Sequence, residues 1–364
     1  NDTVDGGLGD DSLVGGGGVD TLSYASASSN VTVSLATGLA TGGAGNDRFS
    51  GFTNLLGGAG DDSLVGSSAA NTIDGGLGND AIDGGAGVDT ISYASASGSV
   101  SVNLAAATAT GAAGSDTLLN FENISGSSFN DVLIGNSAVN TITGGDGDDT
   151  IDGGLGNDVL TGGNGIDIVS YASVTGAVTV NLANGSVTGA GGVDTISGFE
   201  GIIGGAGADV LTGSTAADYL NGGAGNDTIA GGLGDDTIVG GGGVDTVTYA
   251  AATAAVTVNL TTGQASGALG NDQLSGISAV VGSGFADLLT GSTGADTINA
   301  GSGNDTVDGG LGDDSLVGGG GVDTLGYASA TGSVTVNLAT GLVSGAAGND
   351  LISGFTNLLG GAGD

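Results

Sequence analysis

A nine-residue phrase recurs through the chain and restricts the folds that are open to it. Its clearest copy is Gly231 to Val239, GGLGDDTIV: two glycines, a variable residue, a glycine, a variable residue, an aspartate, a variable residue, an aliphatic residue and a variable residue. One copy is too short to bury its aliphatic side chain alone, whereas stacked copies bury these side chains as a continuous ladder. The phrase therefore predicts a repetitive, solenoid-like fold.

The copies fall into blocks that are separated by longer inserts. A partial block covers residues 1–23, the full blocks cover 57–92, 126–170, 204–248 and 282–326, and a last copy is cut off at 360–364. Because both ends fall inside a repeat, we expect a stretch of a longer repetitive protein or a unit that stacks end to end. The five inserts are equal in length, and they start at Tyr24, Tyr93, Tyr171, Tyr249 and Tyr327.

The last three residues of each phrase predict a short strand. The eighth position is aliphatic, as in Leu64, Ile73 and Ile82, and its neighbours are mostly polar, so one side chain points inward and two point outward. The Gly-rich first six residues supply the turn. Two phrases then make one coil, with about 4.8 Å between coils. We predict an all-β fold, a right-handed parallel β-roll or β-solenoid that runs as a single continuous unit over residues 1–364.

The inserts have a pattern of their own. An alternating run such as Val178 to Leu182 predicts a half-buried strand, and a degenerate nonapeptide (267–275 in one insert) and a six-residue stretch (354–359 in another) follow it. We expect each insert to continue the coil with one enlarged turn rather than to form a separate domain. The insert tyrosines with Phe52, Phe121, Phe199 and Phe355 either fill that turn or form a sugar-binding stripe.

The charge balance excludes several classes of function. Acidic residues number 39 against the single base Arg48, which gives a net charge of −38. Nothing basic is available for nucleic acid or for an acidic membrane surface, and no apolar run is long enough for membrane insertion. With no His, Cys or Lys there is no triad, thiolate or Schiff base, so we expect no enzyme activity. A cation from outside the chain has to offset the acidic residues.

The spacing of the aspartates predicts calcium sites. Sixth-position aspartates that are two phrases apart stack on one flank and repel each other unless a cation lies between them. Ca²⁺ accepts carboxylate and carbonyl oxygens, whereas Mg²⁺ demands a tighter geometry and Zn²⁺ prefers His or Cys. The candidate pairs are Asp2/Asp20, Asp62/Asp80, Asp131/Asp149, Asp149/Asp167, Asp209/Asp227, Asp227/Asp245, Asp287/Asp305, Asp305/Asp323, Asp218/Asp236 and Asp296/Asp314, with Asn71/Asp89 and Asn140/Asp158 as weaker variants.

Twelve such pairs, each with one dication, would offset 24 of the 38 negative charges. The inserts carry an aspartate at the same phrase position, but six extra residues break the spacing of two phrases, so we expect the calcium sites there to be missing or altered. These aspartates are Asp47, Asp116, Asp194, Asp272 and Asp350.

The repeated phrase resembles the RTX, or hemolysin-type, calcium-binding repeats of Gram-negative secreted proteins. The resemblance covers essentially the whole chain and implies a parallel β-roll with Ca²⁺ between turns, type I secretion, and folding outside the cell. The inserts resemble those of long surface adhesins and of calcium-binding modules beside polysaccharide-modifying enzymes.

We therefore expect an extracellular structural protein at the bacterial cell surface, the rod of a surface layer, filament or adhesin, that binds about a dozen or more calcium ions. The alternative is a carbohydrate-binding or accessory module of a larger secreted enzyme or toxin. Self-association into a fibre or layer and contact with glycans are compatible with both functions.

Overall fold

The computed structural model describes residues 1–361, in which the regular elements are short β-strands. The chain divides into two compact units, one of Asn1–Ser173 and Ser186–Phe199, the other of Val174–Gly185 and Glu200–Asp364. The division falls within the third insert. One continuous roll over residues 1–364 stays a prediction, and the end of the cut-off last copy, residues 362–364, lies outside the described residues.

The strands of the first unit mostly have three to six residues. They are β1 Thr3–Asp5, β2 Ser12–Val14, β3 Thr21–Ser23, β4 Val31–Ser34, β5 Leu39–Gly42, β6 Gly45–Ser50, β7 Asn54–Leu56, β8 Ser63–Ser67, β9 Thr72–Asp74, β10 Ala81–Gly85, β11 Thr90–Ser92, β12 Val100–Asn103, β13 Thr108–Gly111, β14 Gly114–Leu119, β15 Asn123–Ser125, β16 Val132–Ile134, β17 Thr141–Asp146, β18 Thr150–Asp152, β19 Val159–Asn164, β20 Ile168–Ser170, β22 Ser186–Gly189 and β23 Thr195–Ser197.

The strands of the second unit follow the same pattern. They are β21 Val178–Asn181, β24 Gly201–Ile203, β25 Val210–Thr212, β26 Tyr219–Asn221, β27 Thr228–Ala230, β28 Thr237–Val239, β29 Thr246–Thr248, β30 Val256–Asn259, β31 Gln264–Gly267, β32 Gly270–Ser275, β33 Ala279–Val281, β34 Leu288–Thr290, β35 Thr297–Asn299, β36 Thr306–Asp308, β37 Ser315–Val317, β38 Asp323–Gly326, β39 Val334–Asn337, β40 Leu342–Gly345, β41 Leu351–Ser353 and β42 Phe355–Leu359.

Two sheets form the first unit, and successive phrases alternate between them. One sheet is parallel in the order β1-β3-β7-β9-β11-β15-β17-β19-β23, with β22 antiparallel to β23. The other has the order β2-β6-β5-β4-β8-β10-β14-β13-β12-β16-β18-β20. In the second sheet only the insert strands pair antiparallel. This arrangement is a parallel β-roll, as the sequence predicts.

The second unit has the same construction. One sheet runs β21-β25-β27-β29-β33-β35-β37-β41-β40-β39. The other runs β24-β26-β28-β32-β31-β30-β34-β36-β38-β42. Here too the block strands pair parallel, and the antiparallel pairs belong to inserts.

Copies that are two phrases apart stack in register, which confirms the predicted coil. In the first unit Ile73 lies between Leu55 and Ile91 in one sheet, and all three side chains are buried. In the second unit Ile229 lies between Leu211 and Val247 in the same way. Burying one such side chain stabilises a fold by about 1.5–3 kcal/mol, so the ladder of eighth-position residues is the core of each unit.

The Gly-rich half of each phrase forms the turn between the two sheets. In the phrase that starts at Gly231, Gly232 and Gly234 have φ angles of +104° and +123°, which side chains with a Cβ rarely adopt. A Cβ at either position would also collide with a carbonyl oxygen of the preceding coil, that of Ser214 or Ala216. The close stacking of coils therefore depends on glycine at these positions.

The inserts continue the coil, but the expectation of an enlarged turn is wrong. In the first insert β4, β5 and β6 form an antiparallel meander inside the parallel sheet, so that β6 pairs parallel with β2 and β4 pairs parallel with β8. The cause is the alternation of apolar residues in both halves of the hairpin, where Val31, Val33 and Ala40 are all buried. The alternating run at β21 likewise forms the half-buried strand that the sequence predicts.

The insert aromatic residues are buried. The five tyrosines are at most 4% exposed and the four phenylalanines at most 9%. Side chains at this depth pack inside the fold, so they do not form the sugar-binding stripe that the sequence left open.

Candidate metal centre

The twelve candidate pairs are brought together as predicted. In each pair the backbone N–H of the earlier residue donates a hydrogen bond to Oδ1 of the residue 18 positions later, over 2.7–3.0 Å. Asp218 and Asp236, for example, are joined at 3.0 Å and are both buried. The spacing in the sequence therefore translates directly into contact between neighbouring coils.

The other carboxylate oxygen of the later residue is buried and open. Within residues 1–361, Oδ2 has no hydrogen-bond partner in eleven of these aspartates, and we call it the open oxygen: Asp20, Asp80, Asp89, Asp149, Asp158, Asp227, Asp236, Asp245, Asp305, Asp314 and Asp323. A buried carboxylate oxygen without a partner is costly, and the chain has only one basic side chain to offer. The repeated open oxygen therefore fits a bound cation.

Asp167 stands apart from these eleven aspartates. Its predicted contact is present, because the N–H of Asp149 donates to Oδ1 of Asp167 at 2.8 Å, and the side chain of Asp167 is 0% exposed. Asp167 has a further interaction besides this contact. It is also the last aspartate of its block, and the division between the two units falls in the insert that follows. The sequence treats Asp167 as one more regular calcium ligand, and its role as a ligand stays a prediction.

Glycine carbonyl groups share the space beside several of the open oxygens. A Cβ at Gly222 would lie 2.5 Å from the carbonyl oxygen of Gly240 and would also collide with the open oxygen of Asp227. A Cβ at Gly144 would likewise lie 2.6 Å from the carbonyl oxygen of Gly162 and would collide with the open oxygen of Asp149. Glycine at the first position thus leaves room where carboxylate and carbonyl oxygens meet. Oxygen donors of these two kinds suit Ca²⁺.

Several first members of the pairs differ from the later ones, because protein groups satisfy both of their carboxylate oxygens. Asp62 accepts hydrogen bonds from the N–H groups of Val31 and Gly58, each at 2.8 Å. The same holds, with an insert valine or a turn serine as partner, for Asp131, Asp209, Asp218, Asp287 and Asp296. Asp2, also a first member, is exposed. Sequence reasoning treats all members of the pairs alike, whereas the structure distinguishes them.

In the two pairs that contain an asparagine, the asparagine side chain makes a hydrogen bond that an aspartate could not make. The amide group of Asn71 donates to the carbonyl oxygen of Thr53 at 2.7 Å, and that of Asn140 donates to the carbonyl oxygen of Glu122 at 2.6 Å. A carboxylate could not donate these bonds.

Within residues 1–361 no group of three or more acidic side chains converges on one point.

Each insert aspartate accepts a hydrogen bond from a tyrosine hydroxyl group, and the sequence analysis did not predict this contact. The hydroxyl group of Tyr93 donates to Oδ2 of Asp116 at 2.8 Å, while the N–H of Asp80, 36 residues before Asp116, donates to Oδ1 at 3.0 Å. The other four inserts repeat both contacts, with Tyr24 on Asp47, Tyr171 on Asp194, Tyr249 on Asp272 and Tyr327 on Asp350.

The tyrosine hydroxyl donates to Oδ2, which is the open oxygen in the regular coils. Burial raises the pKa of Tyr93, and the charge of Asp116 raises it further, so the hydroxyl stays neutral and donates. The constant spacing of 23 residues between tyrosine and aspartate was the signal in the sequence that could have predicted this pair.

A family model of the RTX calcium-binding nonapeptide repeat matches residues 1–26, 56–91, 134–169, 202–229, 212–247, 281–316 and 290–325, which together make up just over half of the chain. The chain belongs to the RTX calcium-binding repeat family. RTX repeats bind calcium, and RTX repeat proteins are typically secreted. The open oxygens beside the glycine carbonyls are donors of the kinds that Ca²⁺ accepts, and their role as calcium ligands stays a prediction.

Other comparisons add little to the family assignment. Among 27 matching chains of solved structures is the extracellular lipase LipA from Serratia marcescens, with 17% identity and a TM-score of 0.16, over 64% of this chain and 38% of the lipase chain. A TM-score this low carries no argument. No curated protein matches. In the described part of the RTX chain no helix is long and apolar enough to cross a membrane.

Acid should stabilise the metal-free folded state of this RTX chain. Burial, with repulsion from neighbouring carboxylates, raises the pKa of six candidate ligands, to about 7 in Asp80, Asp149 and Asp314 and to about 6 in Asp158, Asp227 and Asp236. Protons therefore bind the metal-free folded state more tightly than the unfolded state, and that state loses stability as the pH rises from about 4 to about 7. Calcium competes with these protons.

Because protons stabilise the metal-free folded state, the β signal that remains in EGTA, followed by circular dichroism, should therefore be larger at pH 5 than at pH 8. Sodium chloride held constant at both pH values controls for screening of the surface charge. A β signal in EGTA that is the same at both pH values would contradict the burial of these carboxylates in the metal-free fold.

Proposed function

We propose that this chain is an extracellular, calcium-stabilised structural protein, the rod of a bacterial surface layer, filament or adhesin, and that it is not an enzyme. The observation that carries the proposal is the recurrence, within residues 1–361, of one open oxygen in coil after coil of both units. A catalytic site needs a unique constellation of groups, whereas a structural repeat makes the same contact many times along its length. About a dozen calcium ions would fill these positions.

The mechanism is folding coupled to metal binding. In a cytosol poor in calcium, a net charge of −38 keeps the chain expanded and competent for secretion. Outside the cell, Ca²⁺ neutralises the stacked carboxylates and supplies the folding free energy. The aliphatic side chains at the eighth positions then pack between the two sheets of each unit.

A second candidate function is carbohydrate binding as an accessory module of a secreted enzyme or toxin. The observation that favours it is a pocket of about 230 Å³ on the outer face of β30, β31 and β32, lined by Thr257, Gln264, Asn271 and Gln273 among others. These polar side chains could hydrogen-bond sugar hydroxyl groups.

Electron microscopy and a glycan array, run on the same calcium-loaded protein, separate the two functions. The structural proposal expects extended particles or filaments with an axial repeat in calcium, which disappear in EGTA, and no glycan that binds above background. Saturable glycan binding that is lost in Gln264→Ala and Gln273→Ala, without extended particles, would favour the accessory module instead.

A further inference from the structure

Each insert ends at a joint where the regular ladder of aspartates is interrupted. The last aspartate of a block is followed, 33 residues later, by a side chain that takes the place of the next aspartate. That residue is Thr53 after Asp20, Glu122 after Asp89, Ser278 after Asp245 and Thr356 after Asp323. In the third insert Glu200 follows Asp167 at the same separation, and these two residues belong to different units. The second insert therefore presents a carboxylate at a joint that lies within one unit.

Glu122 makes the contact that an aspartate makes in a regular coil. The N–H of Asp89 donates to Oε2 of Glu122 at 2.9 Å, just as the N–H of Asn71 donates to Oδ1 of Asp89 at 2.7 Å. Along this flank, Glu122 thus follows Asp89 as Asp89 follows Asn71. The sequence phrase does not reveal this role, because Glu122 lies in the insert, outside any nonapeptide copy.

The joint also presents the other oxygen donors of a regular site. Asp89 is 0% exposed, and its open oxygen has no hydrogen-bond partner among the described residues. A Cβ at Gly84 would lie 3.0 Å from this oxygen and would collide with the carbonyl oxygen of Asn120. The carbonyl group of Asn120 thus stands where a glycine carbonyl stands beside Asp227 in the regular ladder.

The joints with threonine or serine lack the second carboxylate. The hydroxyl groups of Thr53 and Thr356 each lie 3.3 Å from the carbonyl oxygen of the preceding aspartate and donate to it. Ser278 has a buried hydroxyl group that, in the described part of the chain, has no partner. A neutral hydroxyl group offsets no positive charge, so these joints hold a cation more weakly than a pair of carboxylates does.

We propose that Asp89 and Glu122, with the carbonyl oxygen of Asn120, bind a divalent cation of the Ca²⁺ type at the second insert. Asp89 is the aspartate of a nonapeptide copy, whereas Glu122 and Asn120 lie outside the motif, and the site rests on the proposed calcium-coupled folding. Two carboxylates are adjacent here, and Arg48, the only base of the chain, lies in the first insert. A hard dication offsets their repulsion and accepts oxygen donors of both kinds.

Native mass spectrometry of the full chain at saturating Ca²⁺ counts the ions directly. Glu122→Gln keeps an oxygen that can accept the bond from Asp89 but removes the charge, and it should bind one ion fewer than wild type. Thr53→Glu, which installs the carboxylate at the first joint, should bind one ion more. Asp235→Asn removes an exposed carboxylate outside the joint and should leave the count unchanged.

Hydrogen exchange provides the second readout. Calcium should slow exchange at residues 89–92 and 121–125 in wild type, and Glu122→Gln should need several-fold more calcium for the same protection, while the ladder at residues 141–170 responds as in wild type. An unchanged ion count together with unchanged exchange in Glu122→Gln would overturn the proposal. Wild-type protein that binds no calcium would instead refute the proposed function itself.

Discussion

Removing Ca²⁺ with EGTA should unfold most of the chain. The eleven open oxygens within residues 1–361 would then lack a partner, and each such oxygen costs about 1–3 kcal/mol or more. Even the lower figure adds up to about 10 kcal/mol, which is comparable to the whole stability of a typical domain. Repulsion among a net 38 negative charges acts in the same direction. Circular dichroism should show a largely disordered chain in EGTA and a strong β signal in millimolar Ca²⁺.

Two controls separate specific binding from charge screening. Sodium chloride at the same ionic strength should restore little β signal, because it screens surface charge without filling the buried sites. Mg²⁺ should restore less than Ca²⁺, because it demands octahedral geometry and keeps its waters. A chain that stays fully folded in EGTA would refute calcium-coupled folding.

The regular coils could be predicted from the sequence because every determinant is local. The strand, the turn and the spacing of the aspartate lie within one phrase, and stacking follows from the need to bury residues such as Ile73. The register of two phrases per coil and the contacts of the twelve pairs were therefore predicted correctly. Nothing outside the phrase is needed to position Asp236 over Asp218.

The inserts could not be predicted to the same depth, because their contacts join residues at other separations. The antiparallel return of β5 brings residues 36 positions apart into contact between neighbouring coils, whereas a count of four nonapeptides would place them two coils apart. The bond from Val31 to Asp62 spans 31 residues, and the bond from Asp89 to Glu122 spans 33. Which oxygen is open and which is satisfied depends on these contacts, and the sequence shows only that an aspartate is present.

Replacing Gly270 with alanine should strongly destabilise the calcium-bound second unit. Gly270 has a φ angle of +141°, and a Cβ there would lie 2.5 Å from the carbonyl carbon of Gly234 and collide with its oxygen. Backbone strain of this kind alone costs about 1–3 kcal/mol, and the rigid neighbouring backbone cannot move without opening the coil. We expect a loss of at least about 3 kcal/mol in urea unfolding at saturating Ca²⁺.

Gly284→Ala is the matched control in the same unit. Gly284 is exposed and does not have a positive φ angle. A Cβ at this position would have no heavy atom within 4 Å. Its replacement should change the stability by no more than about 1 kcal/mol, in the stabilising direction, because alanine restricts the unfolded chain. If the two variants unfold at the same urea concentration, the close approach of coils is not what requires glycine. If only Gly270→Ala is destabilised, contact between neighbouring backbones sets how closely the coils, and with them the carboxylates, can stack.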